Sequence, residues 1–509
     1  MKRRDFVKLS ALSATMPMLL KSCQWEKTTS VGFDIQVHSD MKTGHLVFKS
    51  QSFDQGPTLD VKTLIVGGGI AGLSAANQLQ GEDFLLCELS NDFGGTSGSH
   101  DFKGVNFAQG AHYDLAYPDY YGDEVLDMLS NLDIIYQQKW KSSWSFKEQD
   151  YIIPFRLRNK CFENGQHRKD VLIEGEMKQD FLKVISPFLS SMKLPTRLID
   201  EEIRNLDKLN FIDFLQERMT LDASFIRGLD YHMLDDYGGT ANQVSALAGI
   251  HYFMCRPYYS EVVELFSPPQ GNHYFVQKLA DGLPESQLLT QHLVRRIQET
   301  ENGFVAEVVD IANQQVKQVK AGRIVYAGQK HALQYIFPQD FQLFKDNVYA
   351  PWLVLNFIVE NDKEDYGIWQ NEILTEDISF LGFIDSNAQH AKPQENRVLT
   401  AYYCLPPESR KDLANVESNK VEIVNKTLDY INAYYGKDLT GSVKQVFMKA
   451  MGHAMPIPKV GYLFNDRNAT RPNPNLAYAG VDNSRLPLLF DAMDSGIQAV
   501  QALNTSKLA

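Results

Sequence analysis

The chain has 509 residues, 44% hydrophobic and 22% charged, the composition of an ordinary globular protein with room for two or three domains. Its formal charge of −13 excludes a general nucleic-acid binder, which would present a basic face. The five cysteines, Cys23, Cys87, Cys161, Cys255 and Cys404, show no paired spacing, so neither a zinc site nor a redox dithiol is expected, and no metal site is assigned.

In chain order, residues 1–23 read as an address. A basic head, Lys2-Arg3-Arg4-Asp5-Phe6-Val7-Lys8, precedes a short apolar run from Leu9 to Leu20. That run falls short of the roughly 20 apolar residues a bilayer span needs. It fits an export signal, and the paired arginines fit the twin-arginine kind. Leu20-Lys21-Ser22-Cys23 is similar to a bacterial lipobox, although Lys21 is an unusual occupant. Acylation of Cys23 would tether a periplasmic protein to the membrane. Residues 24–57 read as a tether with one candidate hairpin, an alternating run from Val31 to His38 followed by His45 to Phe48, to which no function is assigned.

A β-branched run, Val61 to Val66, then enters Gly67-Gly68-Gly69-Ile70-Ala71-Gly72, after which Ile70, Leu73, Ala76 and Leu79 recur at helical spacing. Each glycine has a mechanical role in a dinucleotide fingerprint. Gly67 makes the tight turn, Gly69 lets backbone approach a pyrophosphate, and Gly72 lets helix and strand pack. The pyrophosphate would lie on free N–H groups at the helix start, beside Ile70 and Ala71. A second strand, Phe84 to Leu89, carries Glu88 about 20 residues on, where an acid accepts from ribose hydroxyls.

The residues that follow resemble one superfamily. Glu88-Leu89-Ser90-Asn91-Asp92-Phe93-Gly94-Gly95 is similar to the segment that flavin amine oxidases, phytoene desaturases and protoporphyrinogen oxidases place after the ribose-binding acid. Gly110-Ala111-His112-Tyr113 resembles their segment beside the flavin ring. His292 to Ile297, with Val294, resembles the strand beside the adenine, and Arg323 to Gly328, ending in Ala327-Gly328, the strand that returns to the FAD domain. Asn475 to Asp482 followed by Leu489 to Val500 resembles the closing strand and helix. The resemblance is nearer still to exported bacterial FAD-dependent oxidoreductases. It implies FAD as cofactor, with Gly480 and Asp482 near its ribityl or phosphate region and the backbone at Ala492 and Met493 near the flavin. It also implies an α/β fold in which a Rossmann-type FAD-binding domain (58–115, 265–335 and 440–505) is interleaved with an α+β substrate domain (116–264 and 336–439).

Three departures qualify it. Thr96 stands where a basic residue often follows the paired glycines. No cysteine lies near the closing segment, so a covalent flavin bond is not expected. Asn356 stands where many amine oxidases have a lysine that holds a water.

On the substrate side, residues 123–255 show mostly helical periodicity with an extended piece from Tyr151 to Phe155, and residues 350–450 alternate strand-like runs with polar loops. Candidate substrate-facing residues are His112, Tyr113, Trp352, Asn356 and His453. His453 reads as an acid–base group titrating near neutrality or as a structural histidine. Lys330 reads as solvated, with a catalytic role as the alternative. Tyr117 to Tyr121 and Tyr258-Tyr259 read as an aromatic funnel or as loop packing, and Asp235-Asp236-Tyr237-Gly238-Gly239 as a turn. The expected activity is removal of a hydride from a small organic substrate, an amine among the candidates, with oxygen or a membrane quinone as acceptor. A lipid desaturase or isomerase and a non-catalytic, partner-binding flavoprotein are the alternatives.

Overall fold

A computed structural model describes residues 31–49, 51–110, 121–138, 143–255, 265–361, 367–392, 394–469 and 473–505. The chain divides into two units, Met1–Gly32 and Phe33–Ala509. The export signal and Cys23 lie outside the described residues. Within them, no helix is long and apolar enough to cross a membrane.

Two sheets organise Phe33–Ala509. The first runs in the order Leu288–Leu289, Phe84–Cys87, Asp54–Val66, Gln315–Tyr326, Gly303–Asp310, His292–Thr300, with Leu476–Tyr478 also paired to Gln315–Tyr326. Its centre is parallel, and the stretch from His292 to Tyr326 is an antiparallel meander. Asp54–Val66 is largely exposed at its start and wholly buried from Thr63 to Val66, the continuous apolar run expected where a parallel sheet is covered on both faces. The helix Ile70–Gln78 covers one face, buried from Ile70 to Ala76. The closing helix Leu489–Thr505 crosses it so closely that a Cβ on Gly496 would fall 2.2 Å from the Ala71 carbonyl oxygen.

The second sheet has eight strands in the order Asp34–His38, Val443–Pro456, Tyr349–Glu360, Asn396–Cys404, Phe380–Asp385, Gln370–Leu374, Asn159–Glu163, Gln166–Arg168. Helix Val416–Tyr435 packs on one face, with Tyr430 stacked on Phe380 and Tyr434 edge-on to Phe383. On the other, helix Ala223–Tyr237 is fixed where the Tyr231 hydroxyl donates to the Leu381 carbonyl at 2.6 Å. This is the α/β fold expected, with a Rossmann-type sheet and an interleaved mixed sheet.

Four expectations change in detail. The segment before residue 57 is not a hairpin: Asp34–His38 pairs in parallel with Val443–Pro456, burying Ile35, while His45–Val47 is a 3₁₀ turn. Strand Val443–Pro456 therefore lies in the second sheet, although residues 440–505 were assigned to the dinucleotide domain. The stretch 350–450 contains, besides strands, the twenty-residue helix Val416–Tyr435. Tyr151 to Phe155 forms no strand: two 3₁₀ turns, Gln149–Tyr151 and Phe155–Leu157, flank a single bridge between Ile152 and Phe266.

Candidate active site

The glycine turn is built by close backbone packing. Gly67 has φ +99°, a conformation side chains rarely adopt, and a Cβ there would meet the Gly328 nitrogen at 2.9 Å. A Cβ on Gly72 would lie 1.9 Å from the Gly67 carbonyl oxygen, so the turn and the first helical turn fit only without it. Gly69 differs: a Cβ there would meet nothing nearer than the Gly94 oxygen at 3.8 Å. Space is left open beside Gly69 at the start of the helix, where unpaired N–H groups favour an anion.

Glu88 closes the turn from the neighbouring strand. Its two carboxylate oxygens accept from the Gly68 N–H at 2.7 Å and the Ser90 N–H at 2.9 Å. Burial pushes this carboxyl above its ordinary range, and the two N–H groups pull against that. The Gly94 N–H donates to Gly68 at 2.9 Å, which brings Gly94, Gly95 and Thr96 alongside. These residues, with Ile70, Ala71, Leu89, Gly110, Val294, Ala327, Gly328 and Gly480, line one cavity of about 1400 Å³. Such a volume exceeds the roughly 300–1,000 Å³ of a pocket for one small ligand. The donors, the acid and the open space beside Gly69 together fit a dinucleotide.

Asp482 also lines this cavity, yet its carboxylate is committed to protein. It accepts from the Lys330 ammonium and the Lys330 N–H, each at 2.8 Å, and from the Tyr349 hydroxyl at 3.0 Å. Lys330, read from sequence as solvated, is fully buried, and its ammonium also donates to the carbonyls of Gly328 and Ala479 at 3.0 and 2.6 Å. It does not line the cavity. All three ammonium protons have acceptors, so Lys330 joins the return turn to the closing strand and has no free role in catalysis.

The closing helix starts at the cavity through Leu489 and Ala492, whereas Met493 is turned into the core. Its first two turns are pinned from outside. Asp491, buried, accepts from the Thr196 N–H and hydroxyl, both at 2.9 Å, and Asp494 pairs with Arg197 and Arg485. Burial lifts the Asp491 carboxyl to about 7 despite the opposing charge of Arg485.

The far part of the cavity lies on the second sheet. Trp352 and Tyr402, on neighbouring strands, hold parallel rings 5.7 Å apart with 11° between planes. Beside them, the Gln370 amide donates to the Asp235 carboxylate at 3.1 Å, and Asp236 also faces the cavity. Asp235 and Asp236 form the last turn of helix Ala223–Tyr237, which ends at Gly238, φ +71°; the turn expected from sequence begins only there. Among the described residues no group of three or more His, Cys, Asp or Glu is placed to hold a metal ion. Sequence reasoning missed Asp235, Gln370 and Tyr402. The near-continuous apolar run from Val398 to Cys404 signals a strand buried on both faces, but nothing local marks these residues as facing one cavity.

His453 lines the cavity with its ring stacked on His331, centroids 3.6 Å apart and planes at 11°. Burial first, then the neighbouring His331 and Arg410, depress His453 to about 3, and burial depresses His331 to about 4. Both imidazoles are neutral at neutral pH, so His453 does not titrate there as its sequence reading allowed. Asn356 is fully buried, with Oδ1 accepting from the Thr400 hydroxyl at 2.7 Å; Thr400 lines the cavity and Asn356 does not. Ala111, His112, Tyr113, Tyr117 to Tyr120, Tyr258 and Tyr259 lie outside the described residues. Tyr121 is buried against Phe490, centroids 3.9 Å apart.

Comparison with known proteins places this arrangement. Residues 65–132 match the NAD(P)-binding Rossmann-like domain. No curated protein matches the sequence. A putrescine oxidase with a redesigned cofactor site is 14% identical, TM-score 0.63, aligning over 88% of this chain and 100% of its own. Cyclohexylamine oxidase from Brevibacterium oxydans IH-35A is 16% identical, TM-score 0.62, over 88% and 100%. An oxidoreductase from Methanosarcina mazei is 12% identical, TM-score 0.59, over 86% and 100%. The chain therefore shares the fold of these oxidases, with a Rossmann-like domain at its start. At these identities the likeness is one of fold.

Proposed function

We propose that this protein is an FAD-dependent oxidoreductase that removes a hydride from a small amine. The reading rests on one observation: a single cavity joins the dinucleotide cradle at Gly69 and Glu88 to the Trp352–Tyr402 face and the Asp235–Asp236 carboxylates. Bound FAD supplies the hydride acceptor. The chain's own residues hold and orient. Gly69, Ile70 and Ala71 offer backbone to the diphosphate, Glu88 accepts from ribose hydroxyls, and the start of helix Leu489–Thr505 favours negative charge in the cavity. Trp352 and Tyr402 give a flat apolar wall that excludes water, and Asp235 and Asp236 bring carboxylates to the same cavity, which suits an amine.

The visible spectrum of the purified chain, followed by anaerobic addition of short amines, tests this reading. Flavin bands that bleach with an amine support it. Flavin bands that no amine bleaches, but an alcohol does, overturn the substrate class. A colourless protein that cannot be loaded with FAD overturns the whole. We further propose oxygen or a quinone as electron acceptor, and export by the twin-arginine signal with anchoring through Cys23. Mass spectrometry of the mature N-terminus reads the last point directly.

A further inference from the structure

We propose that residues Asp34–Lys49 form a strap that holds the dinucleotide in place, latched by the ion pair between Asp40 and Lys449; this rests on the FAD reading. One end is sewn into the second sheet. Asp34–His38 pairs in parallel with residues 445–449, Ile35 is buried, and the Lys420 ammonium donates to the Ile35 carbonyl at 3.0 Å. The other end rests on the first sheet. The 3₁₀ turn His45–Val47 packs on strand His292–Thr300, which carries Val294, and Leu46 joins the small core around Leu293 and Val309. Between these anchors, Ser39, Asp40, Met41 and Gly44 line the same cavity as Glu88 and Val294, as do His45 and Phe48 at the second anchor. Lys449 reaches Asp40 at 2.8 Å, and the Phe48 ring lies against Tyr335, centroids 5.2 Å apart.

A segment anchored on both sheets and forming cavity wall between them must yield before a large ligand beside Glu88 can leave. The dissociation rate then depends on residues with no contact to the ligand. Ile35 is such a residue, since it anchors the strap and does not line the cavity.

The test uses the full mature chain loaded with FAD and follows flavin fluorescence as cofactor is released into an excess of an apo-flavoprotein trap. Asp40→Asn removes one half-exposed ion pair and should speed release about two- to five-fold. Ile35→Asp places a charge in the buried strand and should speed it about ten-fold or more. Release rates equal to the parent in both variants overturn the proposal. Hydrogen exchange on the parent provides a second measurement that needs no variant to fold. Amides of Asp34–His38 and His45–Val47 should exchange more slowly in the loaded than in the emptied protein, and equal exchange overturns the strap. A chain that takes up no FAD defeats the cofactor reading itself, and the strap with it.

Discussion

Lys330 and Asp482, 152 residues apart in sequence, meet at 2.8 Å, the lysine fully buried and the carboxylate at the cavity wall. The pair joins the turn after Tyr326 to the segment that follows strand Leu476–Tyr478. Removing one partner strands the other charge. Lys330→Met should destabilise the fold by about 3–5 kcal/mol, whereas the double variant that combines Lys330→Met with Asp482→Leu should recover much of that loss. Urea midpoints of the parent and the two variants check this. Equal losses in the single and double variants would show that the ion pair is not what is being measured.

The cradle offers a sharper contrast between two glycines three residues apart. Gly69→Ala should fold with an unchanged melting temperature, because its Cβ has room, but should lose bound flavin as that space fills. Gly72→Ala should lose the fold itself, since its Cβ would drive into the Gly67 carbonyl. Melting temperature and flavin absorbance, measured on both variants, separate the two effects. If Gly69→Ala retains flavin at parental affinity, the diphosphate does not lie there.

Acid stability should carry the mark of the stacked imidazoles. In the unfolded chain both rings take up protons near 6.5; folded, His331 resists until about 4 and His453 until about 3. Between 6.5 and those values the unfolded state binds more protons, so this contribution to stability is complete above 6.5 and is lost as pH falls. His453→Asn should flatten the decline in urea midpoint across that window. Parallel declines in variant and parent would refute the assignment.

Substrate charge should be read by Asp235. Asp235→Asn should raise KM for short amines about ten-fold while leaving flavin binding intact, because the cavity loses one negative charge. Steady-state kinetics with an amine and its isosteric alcohol provide the check. A variant whose KM rises equally for both would place Asp235 in the scaffold.

The dinucleotide turn was legible because its signal is local. Gly67, Gly69, Gly72 and Glu88 lie within 22 residues, and their spacing is set by one strand, one turn and one helix. Lys330 was read as solvated because its acceptors, the Ala479 carbonyl and the Asp482 carboxylate, arrive from a strand that pairs alongside only after the fold closes. Asp235-Asp236-Tyr237-Gly238-Gly239 reads as a turn in sequence, whereas Asp235 to Tyr237 close a helix that begins at Ala223 and is capped by Gly238. The alternation from Val31 to His38 correctly signalled a strand. Its partner could not be inferred, because period-two alternation says which face is buried and nothing about what lies beside it.

That last pairing has a consequence in time. The hydrogen bond from the Gly68 N–H to Glu88 closes over 20 residues, whereas the one from the Gln445 amide to Asp34 closes over 411. On a growing polypeptide, the earliest residues of the fold must wait for almost the last to leave the ribosome. The N-terminal strand is thus a late stitch placed by an early part of the message, and a chain truncated before residue 443 would leave it without a strand partner.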